Sequence, residues 1–244
     1  MYTTLQKIIE QLNFNSIDAD RKSQIQILAN YIQKKMDEKG DLEWQKSYGG
    51  SGSDLLQRIK LTNDGGFILV GTSNSPKGEY KKEDSRGQED IWVLKLDAKG
   101  VEEWQKTIGG ASQELVSSVK QTPDGGFIIA ATSSSDKSAE KEKDSFGGLD
   151  YWIIKIDSKG KIEWQHTYGG LYNDIVKKVV CSPDGGYLVG GYSNSPESGT
   201  KTEKNYGIGD YWLLKLNADG NIVWDEVIGG SAGDNARSII QTPD

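Results

Sequence analysis

Four tryptophans, Trp44, Trp104, Trp164 and Trp224, stand 60 residues apart without drift. They sit in near-copies of one phrase: "EWQKSYGG" from Glu43, "EWQKTIGG" from Glu103, "EWQHTYGG" from Glu163 and "VWDEVIGG" from Val223. A fixed period of this kind means that one structural unit is repeated and that each unit buries a face against its neighbour. Three further marks keep the same period. "NDGGF" at Asn63 recurs as "PDGGF" at Pro123 and "PDGGY" at Pro183. "GTSNSP" at Gly71 recurs as "ATSSSD" at Ala131 and "GYSNSP" at Gly191. "DIWVLKLDAKG" at Asp90 recurs as "DYWIIKIDSKG" at Asp150 and "DYWLLKLNADG" at Asp210. All seven tryptophans of the chain fall on two repeat positions, the four above and Trp92, Trp152 and Trp212. Residues that recur in every unit serve what every unit must do, so these seven are assigned to packing.

Each unit reads as four short strands. In the first copy they are predicted over 54–62, 67–73, 90–97 and 101–108. In "DIWVLKLD" the alternation of Trp92, Leu94 and Leu96 with Lys95 is the period of two that marks a half-buried strand. Asp-Gly-Gly and Asp-Ala-Lys-Gly supply the turns, with Gly100 suited to positive φ. The second strand carries small residues, Gly71, Ala130-Ala131 and Gly190-Gly191, which suit a close approach of backbones at a crowded centre. The aspartates before Trp92, Trp152 and Trp212 are expected to cap their strands by accepting backbone N–H groups.

Four antiparallel strands in 60 residues is the pattern of a β-propeller blade. The phrases W-x-K-x-x-G-G, D-G-G-F/Y and D-x-W-x-x-K-L-D-x-x-G resemble the tandem propeller-like repeats of bacterial and archaeal secreted or surface proteins, over residues 41–244. The resemblance implies an all-β fold and a non-enzymatic scaffold at the cell surface or outside it. The chain supplies about three and a half such blades, ending at Asp244 inside the Asp-Gly-Gly phrase. An incomplete arc exposes blade edges, and self-association through them is expected.

Residues 1–39 do not repeat. Leu5, Ile8, Ile9 and Leu12, then Ile25, Leu28, Ile32 and Met36, keep helical spacing across a break near "NFNSIDAD", which predicts a helical hairpin. The stretch resembles the helical leader of low-molecular-weight phosphatase or arsenate-reductase-like proteins. Their catalytic loop, a cysteine followed six residues on by arginine, does not follow: Cys181 opens "CSPDGGYL". The leader and the repeat are expected to have different origins. The opening "MYTTLQKIIEQLNF" has no basic stretch followed by an apolar run, so no signal peptide is expected in this chain, and localisation stays open.

A formal net charge of −7 and a sequence pI of about 5.0 argue against a nucleic-acid partner. No run is long and apolar enough for membrane insertion. The single cysteine excludes an internal disulfide, and no nucleophile elbow, zinc-protease helix or phosphate-binding loop is present. The single histidine, His166, replaces the lysine of other units. The loop between the second and third strands, "PKGEYKKEDSRGQED" in the first copy, is far longer than a hairpin connection of about 2–5 residues. Its recurrence places every copy on one side. Asp84, Asp90, Asp144, Asp150 and Asp210 are there the candidate ligands for a hard cation, calcium being the ion they would take; no other cofactor is expected. The third copy replaces Asp144 by Lys204. The plain alternative is solvated loops that vary because nothing constrains them.

The sequence thus points to a non-catalytic scaffold that binds a protein or glycan ligand. Two alternatives stand beside it: an enzyme with its site on the propeller's central face, of glycan-active type, and a fragmentary or fused product without selected function. Polar departures from the repeat fall mostly in the long loops, which counts against the enzyme.

Overall fold

The computed structural model describes residues 32–36, 39–234 and 238–240. The chain divides into two compact units, Met1–Ser47 and Tyr48–Asp244. The described part of the first unit is an antiparallel hairpin of β1 (Ile32–Met36) and β2 (Leu42–Ser47), with Lys35 opposite Trp44. Most of the expected helical hairpin lies outside the described residues. Its last stretch, which includes Ile32 and Met36, is strand: pairing with β2 overrides the helical spacing. There is no helix among the described residues.

The second unit contains three four-stranded antiparallel sheets, each a meander in chain order. The first is β3 (Asp54–Leu61), β4 (Phe67–Ser73), β5 (Asp90–Leu96) and β6 (Glu102–Ile108). The second is β7 (Glu114–Gln121), β8 (Phe127–Ser133), β9 (Asp150–Ile156) and β10 (Ile162–Tyr168). The third is β11 (Asp174–Cys181), β12 (Tyr187–Ser193), β13 (Asp210–Leu216) and β14 (Ile222–Ile228). Register repeats with the sequence. Each first strand is bulged at the same place, Leu56/Arg58, Val116/Ser118 and Val176/Lys178.

The bulge explains the small residues of the second strand. A Cβ on Gly71 would lie 2.2 Å from the Leu55 carbonyl oxygen, and one on Gly191 2.1 Å from that of Ile175. The close approach is therefore to the bulged neighbour within the same sheet, not to a crowded centre between sheets.

Two apolar layers join the sheets. Ile68, Val70, Ile91, Val93 and Ile108 of the first sheet meet Val116, Val119, Phe127, Ile129 and Trp152 of the second. Ile128, Ala130, Tyr151, Ile153 and Tyr168 on the other face of that sheet meet Val176, Val179, Val189, Trp212 and Leu214 of the third. The middle strands are covered on both faces, so β5 and β9 are buried throughout and the half-buried reading of "DIWVLKLD" holds only in its alternation. Lys95 and Lys155 are buried along their stems. Their ammonium groups emerge between Asp64 and Glu103 (2.8 and 2.7 Å) and between Asp124 and Glu163 (2.8 and 2.6 Å). At the junctions, β7 packs on β3, β4 and β5, and β11 on β7, β8 and β9, which sets the first strands beside one another.

The two tryptophan positions differ in depth. Trp152 and Trp212 are fully buried and Trp92 nearly so. Their indole N–H groups donate to Gln105 (3.0 Å), Gln165 (2.8 Å) and Asp225 (3.0 Å), which accounts for the glutamine in "EWQ" and its acidic replacement in "VWD". Trp104 and Trp164 are half-buried clasps. Trp104 lies on the turn of the following sheet, donating to the Ser158 carbonyl at 2.9 Å, with its ring where a Cβ on Gly160 would stand. Trp164 covers Gly220 in the same way, whereas Trp224 is 45% exposed. Loss of a fully buried tryptophan costs about 3–5 kcal/mol. Trp152→Ala is expected in that range, Trp104→Ala at about 2 kcal/mol and Trp224→Ala at about 1 kcal/mol or less, in proportion to area hidden from water. Urea unfolding of the three variants checks the order, and equal losses would refute it.

Candidate functional site

At one end of each sheet the repeated phrases close into a buried polar knot. The acidic residue that opens the first strand, Asp54, Glu114 or Asp174, is fully or almost fully buried. It accepts the N–H of the second glycine of Gly-Gly: Gly50 to Asp54 at 2.8 Å, Gly110 to Glu114 at 2.8 Å, Gly170 to Asp174 at 2.7 Å. It also accepts the serines of the S-x-S phrase. Ser73 and Ser75 reach Asp54 at 2.5 and 2.8 Å, and Ser133 and Ser135 reach Glu114 at 2.8 and 2.6 Å. The glycine pair is required by contact. A Cβ on Gly109 would fall 1.7 Å from Asp90 Oδ1, and one on Gly110 2.5 Å from Ser135 Cβ.

The long loops belong to this knot. Lys81, Lys141 and Lys201, one per loop and 60 residues apart, are at most 2% exposed. Lys81 Nζ donates to the carbonyls of Ser75 and Glu83, both at 2.9 Å, and to Ser85 Oγ at 3.1 Å. Lys141 Nζ donates to the Lys143 carbonyl at 2.6 Å and to Thr167 Oγ1 at 3.1 Å. Burial pulls all three ammonium groups below the usual lysine range, opposed by the carboxylates beside them, Asp90 and Asp54 for Lys81, Asp150 and Glu114 for Lys141. Arg86 joins two loops by donating its Nε to both oxygens of Glu140 at 3.0 and 3.1 Å. The reading of these loops as unconstrained is corrected here: a buried cation cannot be left in water-filled slack, and it fixes the chain around it.

The five candidate cation ligands divide into two kinds. Asp84 and Asp144 are loop residues whose Oδ1 atoms accept the N–H of Lys77 (2.8 Å) and Lys137 (2.9 Å). Asp90, Asp150 and Asp210 are fully buried strand starts. Their Oδ2 atoms accept the N–H of Arg86, Phe146 and Tyr206 at 2.6, 2.6 and 2.7 Å, the capping expected of them. Among the described residues no three His, Cys, Asp or Glu side chains group as a metal site. The Oδ1 atoms of Asp90, Asp150 and Asp210 are buried against the first glycine of Gly-Gly without a hydrogen-bond donor. Burial raises the Asp150 carboxyl to about 6, with the Asp174 charge adding to it.

The sequence reading passed over a second cluster. On the first strands, past the bulge, Arg58, Ser118 and Lys178 hold equivalent register positions, opposite Val70, Ala130 and Gly190. Two residues on, and so on the same face, stand Lys60, Lys120 and Val180. Arg58, Lys60 and Lys120 are exposed and Lys178 is half-buried. None of the four is ion-paired among the described residues. Burial lowers the Lys178 amine, and the charges that act on it, Lys60 and Arg58 on β3 and Lys120 on β7, are all positive. Cations of the first and second sheets thus act on one of the third, in a chain of net charge −7. The available signal was their position on the first strands, where no residue is identical in all three copies. The remaining candidates lie elsewhere: His166 Nε2 is 3.0 Å from the Asp219 carbonyl beside Trp164, and burial pushes the Cys181 thiol up, away from nucleophilic character.

No protein-family model matches the sequence. Among curated proteins, the regulatory protein FlaEY of Caulobacter vibrioides is 23% identical over 212 residues, 82% of this chain and 22% of that protein. The chain thus spans about a fifth of the length of the curated relative it matches. Among solved structures, a chimera of ACO and RPE65 superposes with a TM-score of 0.43 at 13% identity, over 83% of this chain and 46% of that one. A variant of Synechocystis apocarotenoid oxygenase gives 0.42 at 12% identity with the same coverage. These neighbours are named as oxygenases, and the expectation of a non-catalytic scaffold is withdrawn here: an all-β architecture is no mark of a protein without chemistry. No activity passes from them to this chain.

The Asp150 shift has a pH signature. A carboxyl raised from the usual 3.8 to about 6 binds its proton more tightly in the folded state. Its contribution to stability is therefore full below the unfolded value and is lost as pH rises through about 6. Asp150→Asn removes this dependence. The stability of the variant relative to the parent is expected to improve between pH 5 and pH 8 by about 1.5 kcal/mol. Thermal unfolding at both pH values measures it, and a difference independent of pH would refute the assignment.

Proposed function

We propose that the three sheets are blades of a β-propeller arc and that the protein works as an enzyme through its central face, on an anionic substrate. Consecutive meanders, first strands side by side and middle strands buried on both faces support the arc. The observation that carries the functional reading is the unpaired cluster of Arg58, Lys60, Lys120 and Lys178. Like charges brought together repel, and a folded chain holds them together at a cost that a bound anion removes. Arg58 offers a planar fork suited to carboxylate or phosphate, and the lysines add point charges. The acidic residues of the same strands, Asp54, Glu114 and Asp174, are consumed by the knots, so a pair of working carboxylates of glycosidase type does not form on β3, β7 and β11.

The name of the curated relative favours a second reading, in which the same face senses an anion in a regulatory protein instead of converting it. Both readings require anion binding, and calorimetry with citrate and tripolyphosphate tests that requirement. Binding is expected to weaken at least tenfold in a variant carrying Arg58→Gln and Lys60→Gln, and to weaken with added salt. Arg86→Gln, on the loop side, is expected to leave it unchanged. Equal affinity in both variants would overturn the assignment of the site.

A further inference from the structure

The β1–β2 hairpin is a piece of the repeat. Lys35 pairs with Trp44, and the register shifts before Met36. Lys95 pairs with Trp104, Lys155 with Trp164 and Lys215 with Trp224, with the shift at the same step. The phrase "MDEKG" at Met36 stands 60 residues before "LDAKG" at Leu96. Gly40 has the positive φ of Gly100, Gly160 and Gly220, 88° against 73°, 81° and 81°. β1 and β2 are therefore the third and fourth strands of a unit, and the expectation that residues 1–39 do not repeat is corrected for 32–39. The turn between these two strands is what a preceding fourth strand clasps. Trp104 covers Gly160 and Trp164 covers Gly220, with ring atoms 2.8 Å from where a Cβ would stand. Tyr48 and Tyr168 donate their hydroxyls to the carbonyls of Gly100 and Gly220.

Among the described residues one turn and one clasp are left unmatched. No described atom lies within 4 Å of a Cβ on Gly40. On the third sheet Trp224 and Ile228 are 45% and 49% exposed, whereas Ile108 and Tyr168, the equivalents of Ile228, are at most 3%. Leu188, Tyr211 and Leu213 on the same face are half-buried, where Ile128, Tyr151 and Ile153 are fully buried. The place of a following first strand is already taken up. Asp234 donates its N–H to the Gly209 carbonyl at 2.7 Å and accepts the Gly230 N–H at 2.8 Å, as Glu114 and Asp174 do in their units. Ile239, at the position of Val179, lies 3.2 Å from a Cβ on Gly190. What the face still lacks is a third-to-fourth turn. The charges fit such a turn from the hairpin. Glu226 on β14 holds the position of His166, whose Nε2 is 3.0 Å from the Asp219 carbonyl in the clasped turn. The hairpin carries Lys39 at the Asp219 position.

We propose that this face of the third sheet binds a second copy of the chain, and that its occupant is the β1–β2 hairpin of that copy, with Trp224 closing on Gly40 and Glu226 facing Lys39. The hairpin precedes the first sheet in chain order and the exposed face belongs to the last. The contact is therefore heterologous, head to tail, with a different surface used on each copy. The apolar burial that joins the three sheets drives it, and the opposite charges fix its register. Neither surface contains Arg58, Lys60, Lys120 or Lys178, so the inference stands apart from the anion site.

Light scattering across a range of concentrations tests the proposal. The parent chain is expected to pass from monomer to a larger mass as concentration rises. Trp224→Ala is expected to raise the concentration of half-association at least tenfold. Glu226→Lys and Lys39→Glu should each do the same, by setting like charges against each other. Mixed in equal amounts, these two charge variants are expected to associate again, because every face then meets a hairpin of opposite charge. Lys99→Glu, in the turn of the first sheet, should leave association unchanged. Oxidation locates the contact in a Cys181→Ser background: a chain with Glu226→Cys and a chain with Lys39→Cys are expected to form a disulfide-linked dimer. A parent that stays monomeric at every concentration overturns the proposal. So does a chain carrying both cysteines that closes its disulfide within itself, since its own hairpin is then the occupant. Association that none of the three variants weakens overturns the assignment of the face.

Discussion

The structure depends on buried lysines at the sheet ends. Lys81, Lys141 and Lys201 are each taken from water into a pocket of carbonyls, hydroxyls and carboxylates. An ammonium so placed is tolerated only when hydrogen bonds and opposite charge surround it. That requirement recruits the rest of the repeat. The acid at the start of the first strand and the aspartate at the start of the third supply the charge. The serines and the N–H of the second glycine hold the first of these acids, and that glycine leaves room for the second serine of S-x-S. A long loop becomes a fixed part of the fold because its one buried cation must be satisfied.

This dependence explains what could be read from sequence and what could not. The four strands of each unit and the two glycine turns were legible, because alternation and positive-φ positions are local properties. Gly65 and Gly100, with φ of 79° and 73°, sit where the turns demand them. The partners of the repeated polar residues were not legible. Trp152 needs Gln165, and Lys155 needs Asp124 and Glu163, but those pairings follow from the register of neighbouring strands, which the pattern of residues alone does not fix. The constancy of Lys81, Lys141 and Lys201 was visible as a 60-residue spacing inside loops that otherwise differ. It lacked meaning without their burial. The leader shows the opposite failure. Ile32 and Met36 keep a helical spacing, yet strand pairing decided their conformation.

The distribution of change among the repeats bears on function more than their likeness. Polar variation in the long loops had argued against a working central face, because it placed the individuality of each unit at the rim. The structure reverses the weight of that observation. The loops keep their fully buried lysines, Lys81, Lys141 and Lys201, constant. The first strands keep their acid, their bulge and one apolar face, but not the opposite face, where Arg58, Ser118 and Lys178 replace one another at a single register position.

A position freed from packing can diverge in either of two ways. Under no constraint, an acidic chain would place charges of both signs on such a face, since mixed signs cost least. Here the only charges that the three first strands present on that face are positive, while their only acids are sequestered in the knots. Of these cations on the first strands, Lys178 is the half-buried one, and burial and its positive neighbours lower its amine. A fold that stabilises itself through paired buried charges in every unit has therefore left one set of charges unpaired, along its neighbouring first strands. Opposing charge from a ligand would complete there the pairing that the protein supplies for itself everywhere else.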